Sequence, residues 1–352
     1  FSEGFFSIDT CKDNSLIIAG SSSSTDGDLN GVCCYQGGGD IWLIRLDSQY
    51  NIIWQKIIGG SKSERNQKIK TTNDGGFILG FTTESNDGDV SNNHSSSSDV
   101  CLIKLDNAGN IQWNKCYGGT QWEYLSHLSC TNDGGFIISF GSASEDGDID
   151  SHYGDVFSED ACIFKVDSIG NIKWKKIIGG SMSDLPIVSK ELKNGNILTS
   201  IKTNSYDYDL AQFVSDSSTN ILFVLFDSIG TTIDEKYFNN NGNEAIYDFV
   251  ENVYGGIVAC GNCDYNSGIC SGNKGGSDVL LIQLDSTLTF KMSKVYGGSK
   301  TDYSNRIKIL NSGNFIISAQ SRSDNIDIAN SKGEEDIWII ESDNAGNLIW
   351  SK

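Results

Sequence analysis

Carboxylate side chains recur at a fixed spacing along this sequence of 352 residues, and carboxylates are side chains with which proteins bind cations and basic ligands. Six of them lie 58 to 61 residues apart: Glu3, Glu64, Glu123, Asp184, Glu244 and Asp302. Two interpretations of this set stay open. The six side chains could bind a cation or a basic ligand together, or each could accept hydrogen bonds from backbone amides and fix the spacing of neighbouring units.

A second acidic pattern, Asp-Gly-Asp, lies in long polar segments. The candidate metal ligands are the aspartates of three such segments: Asp26, Asp28, Asp87, Asp89, Asp146 and Asp148. Oxygen ligands on a flexible loop suit calcium, and a glycine between two aspartates lets both reach one ion, although the spacing is not that of an EF-hand. Asx-turns, in which these side chains bind backbone amides of the loop, explain the pattern without metal. Calcium is therefore the one candidate cofactor, and Asx-turns are the alternative.

Residues for acid–base or nucleophilic catalysis are scarce. The sequence has three histidines, His94, His127 and His152, and it contains neither a nucleophile elbow nor a phosphate-binding glycine loop. Pairs of acids for sugar hydrolysis can be drawn from the many carboxylates, but their abundance makes any one pair unspecific. We therefore predict that the protein is not an enzyme.

The elements that position these residues come from a repeat. A hydrophobic segment that ends in aspartate occurs six times, 58 to 61 residues apart, and its final residues are Asp47, Asp106, Asp167, Asp227, Asp285 and Asp343. Seven residues after these aspartates stand Trp54, Trp113, Trp174, Asp234, Met292 and Trp350. Units four and five have thus lost the tryptophan. A fixed period of this kind indicates a repeat architecture.

Each unit predicts four short strands. In the second unit, an alternating segment over residues 67–72 is followed by Asn73-Asp74-Gly75-Gly76, which is a turn sequence, and by the apolar run 77–81. A long polar loop, the strand that ends at the repeated aspartate and the strand that carries the tryptophan complete the unit. Helical signals are absent. These features predict an all-β fold, a six-bladed β-propeller of four-stranded antiparallel blades, with a β-solenoid of shorter rungs as the alternative.

The predicted propeller is one domain over residues 1–352. Its blades lie at approximately residues 1–58, 59–117, 118–178, 179–237, 238–296 and 297–352. In a propeller, the loops from strand two to strand three and from strand four to the next blade share one face, so both acidic patterns fall on that face. The six carboxylates of the first pattern would surround the mouth of its channel.

Composition excludes two classes of partner. The formal net charge of −20, from 26 Lys and Arg against 46 Asp and Glu, would repel nucleic acid and anionic lipid surfaces. No apolar stretch reaches the roughly 18 residues of a membrane helix, so membrane insertion is not expected. A chain that begins at Phe1 without methionine suits a mature secreted protein or an excised fragment.

The ten cysteines favour disulfides over a metal–thiolate site, because no pair of Cys-x-x-Cys motifs occurs. Cys101 and Cys116 flank a hairpin turn symmetrically, and we expect them to face each other. Cys260, Cys263 and Cys270 crowd one long segment, where we expect disulfides that staple a loop. Most of the ten cysteines are expected to be oxidised, in an oxidising compartment.

Four motifs carry a resemblance to known repeats. They are residues 72–80 (TNDGGFILG), 85–90 (SNDGDV), 103–106 (IKLD) and 109–113 (GNIQW). They resemble the repeat of secreted β-propeller proteins of Bacteroidota, many of which are exported by the type IX system. The resemblance spans all six units and is weaker in units four and five. It implies the fold and a secreted, extracellular or cell-surface location rather than an activity.

Three smaller features add to this resemblance. The hairpin from the repeated aspartate to the tryptophan is similar to the tryptophan-docking unit of quinoprotein dehydrogenases, which implies that Trp54 and its equivalents pack between blades. Asp167-Ser168-Ile169 and its equivalents at 227 and 285 resemble the short O-glycosylation motif of Bacteroidota. Asn93-His94-Ser95 is an N-glycosylation sequon, so a glycoprotein is expected.

Together these observations predict a non-catalytic extracellular module for surface binding or adhesion, whose acidic loop face binds an extracellular glycan or protein. The alternative is a structural subunit of an extracellular filament or surface layer, whose partners are copies of itself. A glycan-active enzyme is the third option. Units four and five lose repeated residues without gaining a recognisable acid, base and nucleophile, which favours the first two options.

Overall fold

The computed structural model describes residues 3–24, 38–213, 218–240, 242–328 and 334–352. These residues form six antiparallel sheets of four strands, which we call blades 1 to 6 in chain order. The chain divides into two compact units, Phe1–Ile178 with blades 1 to 3 and Gly179–Lys352 with blades 4 to 6. Helical structure within the described residues is limited to two 3-10 turns, Tyr208–Leu210 and Gly268–Cys270. The predicted all-β fold of six four-stranded blades is confirmed.

In the first unit each strand pairs with the next one along the chain. Blade 1 contains β1 (Glu3–Thr10), β2 (Leu16–Ser22), β3 (Asp40–Leu46) and β4 (Ile52–Ile58). Blade 2 contains β5 (Glu64–Thr71), β6 (Phe77–Thr83), β7 (Asp99–Leu105) and β8 (Ile111–Tyr117). Blade 3 contains β9 (Glu123–Cys130), β10 (Phe136–Ser142), β11 (Asp160–Val166) and β12 (Ile172–Ile178).

The second unit repeats this order. Blade 4 contains β13 (Asp184–Glu191), β14 (Ile197–Thr203), β15 (Asn220–Phe226) and β16 (Thr232–Phe238). Blade 5 contains β17 (Ala245–Glu251), β18 (Ile257–Cys263), β19 (Asp278–Leu284) and β20 (Phe290–Tyr296). Blade 6 contains β21 (Asp302–Ile309), β22 (Phe315–Ser321), β23 (Asp336–Ser342) and β24 (Leu348–Ser351). Among all these elements there is no apolar helix of the length that a bilayer requires, as far as the residues are described.

The second and third strands of a blade are its most buried elements. Every residue of β6 and β7 is buried, as expected for nearly continuous apolar runs that are covered on both faces. Neighbouring blades supply that cover: Phe77 and Phe81 of blade 2 share one core cluster with Ile41 and Leu43 of blade 1. The fourth strand of each sheet is an edge strand and is more exposed, as in β8.

Trp54 and Trp113 take equivalent places between blades of the first unit. Trp54 lies edge-on to Phe77, with ring centroids 5.9 Å apart, and its Nε1 donates to the carbonyl oxygen of Asn107 at 3.1 Å. Trp113 lies 6.2 Å from Phe136 in the next blade. The predicted packing against the next blade is therefore present for both rings. They are half-buried rather than buried, because both belong to edge strands.

Cys101 and Cys116 form a disulfide between β7 and β8, where they are direct register partners with Cα atoms 4.0 Å apart. This pairing confirms the prediction. The other described cysteines are free thiols: Cys11, Cys130, Cys162, Cys260, Cys263 and Cys270. The expectation that most cysteines are oxidised is therefore not met, since strands place residues such as Ile177 and Leu281 opposite the buried thiols of β11 and β18. Cys33 and Cys34 lie outside the described residues.

Candidate functional site

The candidate residues cluster at one end of each blade. At this end, which we call the long-loop edge, a long loop joins the second strand to the third and the fourth strand leads into the next blade. The opposite end, with the tight turns, is the hairpin edge. The first strands begin at the long-loop edge with the predicted carboxylates: Glu3, Glu64, Glu123, Asp184 and Asp302, and Glu244 directly precedes β17. The side chain of Glu3 lies outside the described residues.

The five described carboxylates of this set are buried, with relative exposures of 2% for Glu64 and 0% for the other four. Glu64 Oε1 accepts hydrogen bonds of 2.8 Å from the hydroxyls of Thr83 and Ser85. Equivalent hydroxyls serve three other blades: Ser142 for Glu123, Thr203 and Ser205 for Asp184, and Ser321 and Ser323 for Asp302. These carboxylates thus connect the first strand of a blade to the end of its second strand.

In three blades the carboxylate also accepts a backbone N–H from the glycine pair that opens the blade. Gly180 donates to Asp184 at 2.8 Å, and Gly298 donates to Asp302 at 2.8 Å. Gly119 donates to Glu123 at 3.2 Å. This is the amide-capping arrangement, although the amides belong to the same blade and not to a neighbouring one. Direct contact of these six residues with a ligand stays a prediction.

Blade 5 departs from this arrangement because cysteine replaces the hydroxyl. Cys263 ends β18 where Thr83 ends β6, and the Cys270 thiol donates to Glu244 Oε1 at 3.7 Å. The adjacent Cys263 thiol and burial raise the pKa of Cys270 far above its usual range. Cys270 therefore stays protonated and serves as the donor that a hydroxyl supplies in other blades.

A second buried acid, from the preceding blade, faces three of these carboxylates. Asp40 and Glu64 flank Gly59 so closely that a Cβ atom on this glycine would lie 2.6 Å from Asp40 Oδ1 and 2.7 Å from Glu64 Oε2. Asp99 and Glu123 flank Gly118 in the same way, and Asp278 and Asp302 flank Gly297. All six acids are buried. Each junction described here therefore contains a carboxyl pair, and only glycine fits between its members.

One carboxyl group in each pair has a raised pKa. Burial, opposed in part by hydrogen bonds from Ser85 and Thr83 and reinforced by the charge of Asp40, raises the pKa of Glu64 to about 7. Burial is also the main cause that raises the pKa of Glu123 and of Asp278 to about 7. The neighbouring acid of each pair, Asp40, Asp99 or Asp302, adds to this effect, because a like charge at close range disfavours ionisation.

A histidine whose contacts could not be expected from the repeat lies beside the pair of Asp99 and Glu123. His94 Nδ1 lies 2.6 Å from Asp99 Oδ2, and its Nε2 lies 3.5 Å from Asp148 Oδ2. The hydrogen bond to Asp99 raises the pKa of His94, against an opposing effect of burial, and the charges of Asp99, Asp148 and Glu123 raise it further. His94 thus connects the strand-three acid of blade 2 to the Asp-Gly-Asp loop of blade 3.

Lys274 takes the corresponding place between blades 5 and 6. Its backbone N–H donates to Asp278 Oδ2 at 2.6 Å, and its ammonium group forms an ion pair with Asp327 Oδ2. His94 and Lys274 therefore make equivalent contacts at two different blade junctions: each links the acid of a third strand to the long loop of the next blade. The long loops differ in length and sequence, so no fixed spacing in the repeat could have indicated this.

The Asp-Gly-Asp segments bind backbone amides at the start of their own blade. Asp87 Oδ1 accepts from Ser61 N at 2.7 Å, and Asp89 Oδ2 from Gly59 N at 3.4 Å. Asp146 and Asp148 bind the amides of Thr120 and Gly118 in the same way. Asp26 and Asp28 lie outside the described residues. Within the described part of the chain no three His, Cys, Asp or Glu side chains form a group that could hold a metal ion, and calcium stays a prediction.

Exposed aromatic side chains are the second feature of the long-loop edge that the sequence analysis missed. Phe157 in the loop of blade 3 has a relative exposure of 82%. In the second unit, Tyr206 and Tyr208 of the blade 4 loop are 47% and 61% exposed, and Tyr265 of the blade 5 loop is 52% exposed. Exposed acids stand next to these rings, namely Asp155, Asp209 and Asp264.

Comparison with known proteins shows the fold. No family model matches the chain, and no curated protein matches its sequence. The WD40 domain of Pan2 from Neurospora crassa matches with a TM-score of 0.50 and 11% identity, with 97% of this chain and 76% of that chain covered. This likeness, together with the six four-stranded sheets, supports assignment of the fold as a β-propeller.

Two bacterial proteins of unknown function are also similar in structure. The protein from Dyadobacter fermentans matches with a TM-score of 0.49 and 10% identity, with 94% of this chain and 92% of that chain covered. The protein from Bacteroides caccae matches with a TM-score of 0.43 and 9% identity, with 85% and 86% covered. At these identities the likeness concerns the fold and not an activity.

Proposed function

We propose that the protein is a non-catalytic extracellular binding module that contacts a glycan through its long-loop edge. The observation that carries this proposal is the presence of exposed aromatic rings on the long loops, with an exposed acid beside the ring at Tyr208 and Asp209. An aromatic ring offers a flat apolar face to a sugar ring, and a carboxylate accepts hydrogen bonds from sugar hydroxyls. Calcium is not required for these contacts.

The contacts of the buried and loop acids support the absence of turnover in this proposal. The inner carboxylates, such as Glu64 and Glu123, are buried and bound to hydroxyl or amide groups of their own blade. The loop acids Asp87 and Asp146 bind the amides of Ser61 and Thr120. A general acid or base must reach the proton that it transfers in a bound substrate, and these carboxylates are used to hold the blades together.

Secretion to the cell surface is part of the same proposal. It rests on the resemblance of the four repeat motifs to secreted propeller proteins of Bacteroidota, including type IX cargo, and on the acidic, sequon-bearing composition. An extracellular position would bring the long-loop edge into contact with glycans of another cell or of a matrix.

A subunit of a filament is the second candidate, and the edge strands favour it. In the first unit β4 exposes Ile52 and Ile53, and in the second unit β24 exposes Leu348, Ile349 and Trp350. Apolar residues on an unpaired sheet edge allow contact between copies of a chain. Size-exclusion chromatography with electron microscopy separates the two candidates, because a binding module stays monodisperse and a filament subunit polymerises.

The proposed function is tested by glycan-array binding of the wild type and of a triple variant, Tyr206→Ala, Tyr208→Ala and Tyr265→Ala. We expect the wild type to bind one class of glycan and the triple variant to bind it at least about tenfold more weakly, because ring contacts contribute roughly 0.5–1.5 kcal/mol each. The matched control is Val253→Ala with Tyr254→Ala, two exposed residues on the hairpin edge of blade 5. Equal losses in both variants, or no glycan bound by the wild type, would contradict the proposal.

A further inference from the structure

The junction of blades 4 and 5 contains a cavity of about 310 Å³ at the hairpin edge, which lies at the opposite end of these blades from the proposed glycan surface. Its floor is formed by apolar side chains, Leu192 and Leu225 of blade 4 and Ile257 and Leu288 of blade 5. Cavities of roughly 300–1,000 Å³ with apolar walls and a few polar groups are typical of sites for small organic ligands.

An equivalent but smaller cavity of about 210 Å³ lies between blades 1 and 2, lined in part by Arg45 and Asn107. At that junction the indole ring of Trp54 packs over Gly109, where a Cβ atom would lie 3.2 Å from the ring. Trp54 Nε1 and an Arg45 guanidinium N–H both donate to the Asn107 carbonyl oxygen, at 3.1 and 2.9 Å. Phe77 lies edge-on to the indole ring, with ring centroids 5.9 Å apart.

Each of these positions has a counterpart at the junction of blades 4 and 5. Asp234 lies at the position of Trp54, and Leu225 lies at the position of Arg45. In blade 5, Leu288, Ser286 and Ile257 lie at the positions of Gly109, Asn107 and Phe77. The indole ring and both donors to the carbonyl oxygen are therefore missing from this junction. Three residues that correspond to contacts of Trp54, namely Ser286, Ile257 and Leu288, line the larger cavity.

Leu288 shows that the lost tryptophan left space behind. Its φ angle is 51°, in the left-handed region that glycine occupies at the equivalent positions 109, 170, 230 and 346. A leucine adopts this conformation at a cost, which burial of its side chain to 2% exposure offsets. Leucine is smaller than an indole ring and fills only part of that space, and the cavity at this junction is the larger of the two.

The other blade without tryptophan keeps its junction filled. Met292 replaces the tryptophan of blade 5, and its Cε would lie 2.6 Å from a Cβ atom placed on Gly346 of blade 6. The methionine thus lies over the glycine as Trp54 lies over Gly109. In the second unit, the vacated space therefore belongs to the junction of blades 4 and 5.

We propose that this cavity binds a small, neutral aromatic molecule of indole size that carries an N–H donor. Its ring would occupy the place that Trp54 takes in the first unit, against Leu225, Ile257 and Leu288, and its N–H would donate to the Ser286 carbonyl oxygen. Neutrality of the ligand follows from the rim, which carries one positive and one negative side chain, Lys193 and Glu251. Lys193 N donates to Glu251 Oε2 at 2.7 Å, and Lys193 Nζ donates to the Asn252 carbonyl oxygen at 2.9 Å.

The probe for this site is 5-fluoroindole, titrated into the full chain and observed by fluorine NMR. We expect saturable binding by the wild type and binding by Leu288→Gly that is at least as tight, because that change enlarges the cavity. The double variant Asp234→Trp with Leu288→Gly rebuilds the arrangement of Trp54 and Gly109, and we expect it to bind at least tenfold more weakly. Met292→Trp, at the filled junction, is the control and should leave binding unchanged.

Two further measurements keep the proposal open to refutation. 5-Fluorobenzofuran, which has the ring but no N–H, should bind several-fold more weakly than 5-fluoroindole. If the double variant does not fold, methyl NMR of the wild type decides: shifts of Leu225, Ile257 and Leu288 on addition of 5-fluoroindole support the site. No binding by the wild type, shifts confined to other methyl groups, or undiminished binding by a folded double variant would overturn it.

Discussion

Asp99 and Glu123 belong to neighbouring blades, yet their carboxyl groups face each other across Gly118, and both side chains are fully buried. Asp99 Oδ1 has no hydrogen-bond partner among the described residues, whereas Asp99 Oδ2 contacts His94. A carboxyl oxygen buried in this way needs a proton or a donor, because burial of an unpaired charge is costly. Burial raises the pKa of the other member of this pair, Glu123, to about 7.

The close approach of Asp99 and Glu123 should require a glycine at position 118. A Cβ atom there would lie 2.8 Å from Asp99 Oδ1 and closer still to Glu123 Oε2. We expect Gly118→Ala to lower the free energy of unfolding by at least about 2 kcal/mol in urea denaturation, because the carboxyl groups must move apart. Gly134→Ala is the control, since Gly134 also has a positive φ but has open space around its Cα. Equal losses in the two variants would show that backbone conformation alone matters.

Stability should fall as the pH rises from 5 to 8. Glu64, Glu123 and Asp278 have folded pKa values of about 7, above their usual values of 4.5 and 3.8, so the folded state holds protons that the unfolded state has released. Their contribution is complete at low pH and is lost as the pH rises through about 7. The raised pKa of His94 acts in the same direction. We expect the Tm to decrease by several degrees over this range, as measured by differential scanning calorimetry.

Glutamine at position 123 should remove part of this pH dependence. An amide resembles the protonated carboxyl group, because it is neutral and can donate a hydrogen bond to Asp99. We expect Glu123→Gln to match the wild type at pH 5 and to be more stable than the wild type at pH 8. A variant that is equally destabilised at both pH values would show that Glu123 is ionised in the folded protein.

Acid should destabilise the protein through a different set of groups. Asp74 forms an ion pair with the buried Lys104, and Asp133 forms one with the buried Lys165. Burial opposes a low pKa for these two aspartates, but hydrogen bonds from hydroxyl, lysine and backbone donors lower the pKa of both to about 2. Their contribution is complete above pH 4 and is lost as the pH falls toward 2. We expect Lys104→Met to abolish part of the loss of stability between pH 4 and 2 in calorimetry. Lys308→Met, at an exposed position of β21, is the control and should leave this loss unchanged.

The Asp-Gly-Asp loops should not depend on calcium for their structure. Asp87 and Asp89 already bind the amides of Ser61 and Gly59. We expect the same Tm in 1 mM calcium and in excess chelator. A Tm that falls on chelation, and that no longer does so in Asp89→Asn with Asp148→Asn, would assign calcium to these loops instead.

Periodicity explains why the fold could be predicted from the sequence. The strand that precedes Asp106 and the turn at Gly75 recur in every sequence repeat. Each repeat forms one blade, whose strands pair with one another. The close approach of the Asp99 and Glu123 carboxyl groups could not be predicted, because it depends on how two neighbouring blades pack against each other. His94 and Lys274 were missed because the long loops have no common length.

The candidate site was predicted in part, since the carboxylates were found but their surroundings were not. A carboxylate at the start of each first strand suggests a ligand as readily as a cap, and only the structure shows Glu64 bound to Thr83 and Ser85. Exposed aromatic residues such as Tyr208 and Phe157 do not recur at the spacing of the repeat, so the repeat pattern could not indicate that they lie on the surface.

Binding without turnover is the central claim, and the most direct measurement is the fate of the bound glycan. The glycan identified on the array is incubated with an equimolar amount of the full chain for a day and then analysed by mass spectrometry, while calorimetric titration of the same sample gives the stoichiometry. We expect saturable binding and complete recovery of the unchanged glycan. Cleaved or modified glycan that accumulates with time, and that disappears in Glu123→Gln, would contradict the claim and establish the protein as an enzyme.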